Sequence, residues 1–305
     1  MKIRKLVIGG VLVVIGLPVA LVLIAAASIY VLDRSNGTIV SSGRERQYLL
    51  YVPPSYDRTK PTPLVISMHA AAVWPATQMN LSRWNRLVDE YGFIVVYPSG
   101  SGVPKIWHVN RGAGLMRDVR FISELIDTLE TAYNIDPARI YANGFSLGGG
   151  MAFVLSCTLS DRIAAVGMVA AAQTLPWSWC TDDRAVPMIA FYGTADLVSY
   201  EGGPSPDPFN PLTFPAVRDW TANWARRNRC SEDPVETRVT ASVRRLAYTN
   251  CAENADVILY TIEGGGHTWP GGKYLPEWIL GRTTRDINAS SVMWAFFREH
   301  PLPRK

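Results

Sequence analysis

The sequence predicts an α/β protein with a mostly parallel central sheet and helices on both faces, preceded by an N-terminal transmembrane helix. Three observations carry that expectation. Short apolar runs rich in Val, Ile and Tyr alternate with longer segments of helical periodicity, the pattern of strands joined by crossover helices. Ser146, Asp196 and His267 each follow directly on one of those runs, and sites in parallel sheets form beyond the carboxyl ends of strands. Residues 6–32 carry no charge and lie behind Lys2, Arg4 and Lys5.

The uncharged N-terminal run would reach about 40 Å as a helix, more than the roughly 30 Å hydrocarbon core. It exceeds the 7–15 residues typical of a secretory signal, so an uncleaved anchor is favoured, with Ala25-Ala26-Ala27 as an alternative cleavage site. The basic cluster keeps the N-terminus cytoplasmic and places the rest outside. Residues 1–36 are therefore read as anchor (or signal peptide) and linker, and 37–305 as one catalytic domain. A net charge of +4 over 305 residues, part of it at the N-terminus, gives no footprint for nucleic acid. The four cysteines, Cys157, Cys180, Cys230 and Cys251, suit an exported domain. They allow three pairings, of which the short-range Cys157–Cys180 and Cys230–Cys251 are favoured. No Cys/His spacing resembles a zinc site, and no metal or cofactor is expected.

In chain order, Thr38–Ser42 and Arg44–Val52 read as a hairpin around Gly43, and Pro63–Met68 as a buried strand ending at His69. Met79–Tyr91 has helical spacing and stops at Gly92; Phe93–Tyr97 is a strand stopped by Pro98. A long loop, Ser99 to Gly114, carries Trp107 and His108, and Leu115–Tyr133 follows as a helix. Ile140–Asn143 enters a tight turn, and a helix continues from it. Ala164–Ala170, Pro187–Tyr192 and Asp256–Ile262 are strands, Pro215–Arg227 and Arg285–His300 helices, and Arg238–Tyr248 alternates only weakly.

The turn is Gly144-Phe145-Ser146-Leu147-Gly148. A serine nucleophile needs its hydroxyl clear of the backbone, so the turn is sharp and the serine strained, and glycines flank it where side chains would collide. The helix that follows points its positive end at a developing oxyanion. Ser146, Asp196 and His267 occur in the order such a triad requires. His267 is the base, freed to bend back over the sheet by Gly264-Gly265-Gly266, with Trp269-Pro270-Gly271-Gly272 holding the loop. Asp196 orients the imidazole. The oxyanion donors are the N–H groups of Leu147 and of Ala71, in the loop after the strand ending at His69. Trp107, His108 and Trp269 are candidates for substrate contact. Asp118 reads as a first-turn helix carboxylate.

These residues resemble the α/β-hydrolase esterases of the polyhydroxybutyrate depolymerase and feruloyl esterase group. The resemblance runs from about Arg44 to the last helix. It rests on Pro63–His69, Tyr97-Pro98-Ser99-Gly100, Asp118-Val119 through Ile135-Asp136-Pro137, the serine turn, Gly193-Thr194-Ala195-Asp196 and Gly264 to Gly271. It implies the α/β-hydrolase fold and a serine esterase with Ser146, Asp196 and His267 as triad, commonly secreted and disulfide-bonded. Where the group usually carries His-Gly, this chain has His69-Ala70; a positive φ there would strain alanine and disturb the oxyanion geometry. The expected activity is hydrolysis of small or soluble carboxylic esters (hydroxyalkanoate, feruloyl or acetyl type) outside the cytoplasm, with the membrane met through residues 6–32. The competing readings are a catalytically idle hydrolase fold that binds at the cell envelope, and a peptidase.

Overall fold

Ten strands join in one sheet whose order, β1-β2-β4-β3-β5-β6-β7-β12-β11-β10, places the serine turn near its centre. The computed structural model describes residues 34–303 apart from 111, 181–183, 205–212, 232 and 274–275. The expected membrane segment, residues 6–32, lies outside the described residues. Among those described, no helix is long and apolar enough to cross a membrane.

The chain opens with an antiparallel hairpin, β1 (Gly37–Ser41) and β2 (Arg44–Tyr51), and β2 lies antiparallel to β4 (Ile94–Pro98). From β4 the sheet runs parallel through β3 (Thr62–Met68), β5 (Ile135–Phe145), β6 (Ala165–Val169), β7 (Met188–Gly193) and β12 (Val257–Ile262). Of these, β3, β6 and β7 are short, apolar and buried almost throughout on both faces, as parallel strands covered by helices must be. Two apolar clusters, one on each face, make the core. The weakly alternating stretch before Tyr248 is a hairpin, β10 (Val235–Thr240) and β11 (Val243–Tyr248), added antiparallel to β12. Its outer strand is exposed almost throughout, which is why its apolar pattern is faint. A separate short pair, β8 (Gly203–Pro204) and β9 (Thr213–Phe214), lies near the site.

The expected single helix over Met79–Tyr91 is two: α1 (Pro75–Ser82) and α2 (Trp84–Tyr91), broken at Arg83, which has φ 57°. The break frees carbonyls for distant partners. Leu81 O accepts from Lys273 N at 3.0 Å and Ser82 O from Ser290 Oγ at 2.7 Å. Helices α3 (Ala113–Ala132), α4 (Leu147–Thr158), α5 (Val217–Arg227), the short α6 (Glu277–Leu280) and α7 (Ala289–Glu299) complete the described set. The last begins four residues later than the periodicity suggested, capped by Asn288, whose side chain accepts from Ser291 N. Both disulfides are short-range, Cys157–Cys180 and Cys230–Cys251, as favoured from the spacing.

Candidate active site

β5 ends at Phe145 and α4 begins at Leu147, so Ser146 alone makes the turn, at φ 52° and ψ −118°. No L-residue sits there without strain, on the order of 1–3 kcal/mol, and the surroundings hold it. Ser146 N donates to Val169 O at 2.9 Å, and Gly150 N donates to Ser146 O at 3.0 Å. Gly148 is required by proximity, because a Cβ there would run into the Met68 carbonyl and meet His69 O at 2.6 Å. The helix start is thereby pressed against the end of β3, which brings Leu147 beside the loop carrying Ala71.

Asp196 and His267, the candidate orienter and base, follow neighbouring parallel strands. Beyond β7 and β12 the loops lock together: Thr194 N donates to Ile262 O at 3.0 Å, Ala195 N to Gly265 O at 2.9 Å, and Gly264 N to Thr194 Oγ1 at 2.9 Å. Asp196 and His267 thus meet, with His267 Nδ1 and Asp196 Oδ1 2.7 Å apart. The same oxygen accepts from Val198 N at 2.8 Å. The Asp196 side chain is wholly buried, so its charge acts at low dielectric on one imidazole nitrogen. With Nδ1–H donating to the carboxylate, Nε2 is left as the basic nitrogen.

Ser146, Leu147, Ala71 and His267 line one cavity of about 320 Å³. Its other walls are Gly150, Ala170, Ala171, Ala172, Thr174, Leu197, Val198 and Phe214; apart from His267, none bears a titratable group. No hydrogen bond joins Ser146 Oγ to His267 among the described residues; in substrate-free sites this contact commonly tightens only when the reaction complex forms.

The loop carrying Ala71, the candidate oxyanion donor, is held from two sides. Gly100 N donates to His69 Nε2 at 2.9 Å, so the ring proton sits on Nδ1 and is donated to Ala70 O, 2.7 Å away. Burial pulls the His69 imidazole down to about 4, which keeps it neutral. Trp107 Nε1 donates to His69 O at 3.1 Å, and Ala72 N donates to Lys105 O at 2.9 Å. That last bond removes Ala72 as an oxyanion donor and leaves Ala71 N as the loop's candidate. The strain expected at Ala70 falls two residues later: Ala72 has φ 59°, while Ala70 is not among the positive-φ residues.

All three candidate substrate contacts, Trp107, His108 and Trp269, are placed elsewhere than on the cavity wall. Trp107 is 2% exposed and anchors the oxyanion loop; Trp269 is fully buried and donates to Ser290 Oγ at 3.1 Å, tying the His267 loop to α7. Neither lines the cavity. A large indole with one donor looks the same in sequence whether it packs or binds. His108 is held by Asp118, 2.8 Å from Oδ2. Asp118 itself is no first-turn carboxylate: it lies in the second turn of α3, wholly buried and paired with Arg46. Its role had no sequence signal, because its partners lie 10 and 72 residues away.

The architecture is the α/β-hydrolase fold, carrying a candidate Ser–His–Asp relay. Residues 46–174 match the family described as esterase PHB depolymerase, in line with the resemblance read from the motifs. Feruloyl esterase B of Piromyces equi is 32% identical over 239 residues, covering 75% of this chain and 44% of that protein. The putative esterase NocK of Nocardia uniformis subsp. tsuyamanensis is 28% identical over 276 residues, covering 83% of this chain and 79% of that protein. The chain thus spans less than half of the first relative and about four-fifths of the second. Among solved structures, an acetyl xylan esterase from Aspergillus awamori superposes with a TM-score of 0.59 at 15% identity, covering 85% of this chain and 98% of that one; this likeness speaks to fold alone.

Proposed function

We propose that this chain is an extracytoplasmic serine hydrolase of carboxylic esters. The observation that carries the reading is the 2.7 Å Asp196–His267 contact at a cavity shared by Ser146, Leu147 and Ala71. Ser146 Oγ attacks the ester carbonyl while His267 Nε2 takes its proton, and Asp196 stabilises the imidazolium. The N–H groups of Leu147 and Ala71 hold the oxyanion. On collapse the proton passes to the departing alkoxide, leaving an acyl-serine and a free alcohol. Water then repeats the sequence, with His267 as base, and releases the acid.

The apolar walls favour an uncharged acyl group, of hydroxyalkanoate, feruloyl or acetyl type, on a small or soluble ester. A fluorophosphonate reagent tests the chemistry: it should label wild type and not Ser146→Ala, with ester turnover lost in parallel. A folded wild type that neither labels nor turns over an ester panel would return the chain to an envelope-binding role, and amide turnover exceeding ester turnover would make it a peptidase.

Two disulfides and the uncharged residues 6–32 support export with retention at the membrane. Full-length protein should then partition into the membrane fraction and resist high-salt extraction; a form starting near Ser28 in the medium would contradict anchoring.

A further inference from the structure

We propose that Asp118, acting through His108 and Trp107, is a positioning residue for the oxyanion hole. The inference rests on the esterase reading and adds residues to it that touch neither substrate nor reacting atoms.

Asp118 is wholly buried, and both of its oxygens are committed. Oδ1 accepts from Arg46 Nη1 at 2.9 Å and from Ser101 Oγ at 3.2 Å. Oδ2 accepts from the His108 backbone N at 2.9 Å and lies 2.8 Å from His108 Nδ1. Arg46 extends the cluster: its Nη2 donates to Ser99 O at 3.1 Å, and its guanidinium lies 3.9 Å over the Phe121 ring. A charge removed from water persists only when it is paired and saturated with hydrogen bonds, and this one is saturated by both ends of a single loop. Three of its four bonds fall on residues 101 and 108, and Arg46 bonds the same loop at 99.

That loop is also what grips the oxyanion segment. Between the two anchored ends, Lys105 O accepts the Ala72 amide, Trp107 Nε1 reaches His69 O, and Gly100 N fixes the His69 tautomer that bonds Ala70 O. Three of the loop's own groups therefore act on residues 69–72, leaving the Ala71 amide aimed by its neighbours. Within the loop a bridge joins Ser101 and Ile106 through two backbone bonds of 2.9 Å and shapes the turn, but it does not fix the turn against the rest of the fold, and the aim of an amide held by this loop depends on an outside pin. Asp118, which does not itself line the cavity, supplies the pin, and its helix, α3, supplies the rigidity. His108 sits midway, its side chain a third exposed and Trp107 beside it in the chain. The assembly links β2, α3 and the loop after β4 to a donor at the end of β3.

The test variant is His108→Ala, which leaves the Arg46–Asp118 pair intact and so spares the fold. Its kcat on a short ester should fall about tenfold, a fraction of the loss seen when an oxyanion donor is removed outright, with KM within twofold of wild type. His108→Asn returns a donor at the δ position and should recover most of the rate. Trp107→Phe, which removes only the indole N–H, should lower kcat similarly, and the double variant should lose less than the product of the two. Independently of turnover, amide hydrogen exchange across residues 69–73 should speed up in His108→Ala. Wild-type kcat and unchanged exchange in that variant overturn the proposal, as does a loss that falls in KM or is not rescued by Asn. Turnover surviving in Ser146→Ala would instead sink the esterase reading, and the exchange comparison would still decide the pin.

Discussion

Two histidines stand at strand ends on the same rim of the sheet, and they are used in opposite ways. His267 follows β12, has a wholly buried carboxylate on one nitrogen and a cavity at its edge. His69 follows β3, is fully buried, and has both nitrogens occupied by backbone groups. The first offers its second nitrogen toward the cavity, as the proposed relay requires; the second is held neutral by burial. Residue type and position at a strand end are shared, so the partners decide: a carboxylate poises a base, whereas an amide on one nitrogen and a carbonyl on the other make a neutral brace. The candidate base side of the cleft is made by charge, and the candidate oxyanion side by clamping.

The contrast is broken most severely on the charged side. Asp196→Asn should lower kcat by about 10⁴-fold with the fold intact, because the imidazole loses its tautomer and its counter-charge; ester assays beside circular dichroism check it, and a loss under tenfold would remove Asp196 from the relay. Next comes the junction of the two sides. Gly148→Ala drives a methyl into the Met68 and His69 carbonyls, and should reduce kcat by about 10²-fold through displacement of the oxyanion loop. Retention of wild-type kcat would mean the loop tolerates the shift.

The brace is tested through pH. The His69 value is about 4 in the fold against about 6.5 unfolded. Below 6.5 the unfolded chain binds a proton that the native chain refuses, so stability is full above that pH and declines as pH falls toward 4, by on the order of 3 kcal/mol. Denaturant titrations at pH 7 and pH 4.5 should show a larger loss for wild type than for His69→Gln; equal losses would say the ring is not held neutral. The smallest effect on activity is expected from Cys230→Ser with Cys251→Ser. That disulfide closes a loop across 21 residues and lines no part of the cavity. Its loss should lower stability by about 2–4 kcal/mol, read as Tm, while kcat at 25 °C stays put. Intact mass under non-reducing conditions should also be lower by four hydrogens than after reduction, one pair for each cystine.

What was legible followed the range of the interactions. Alternating strands and helices, the glycines around Ser146, and the order Ser146, Asp196, His267 are local signals, and each was readable. The break at Arg83 was not, since its cause lies in carbonyl partners contributed by Lys273 and Ser290. Trp107 and Trp269 were visible as large side chains in loops, but whether an indole faces a cavity or a neighbouring loop depends on packing. Asp118 was misread for the same reason: a helix carboxylate near an N-terminus is ordinarily solvated, and nothing within one turn announces Arg46.

By itself the sequence determined the doubly covered parallel sheet, the strained serine turn and the residues available for a proton relay, because hydrophobic period and glycine placement are written along the chain. Only the tertiary structure decided that His69 is held neutral between two backbone groups, that the positive φ in the loop after β3 falls at Ala72, and that the buried carboxylate of Asp118 bonds the loop that grips residues 69–72. Those outcomes rest on burial and on partners brought together from distant segments, and burial is a property that a residue acquires only when the chain has closed around it.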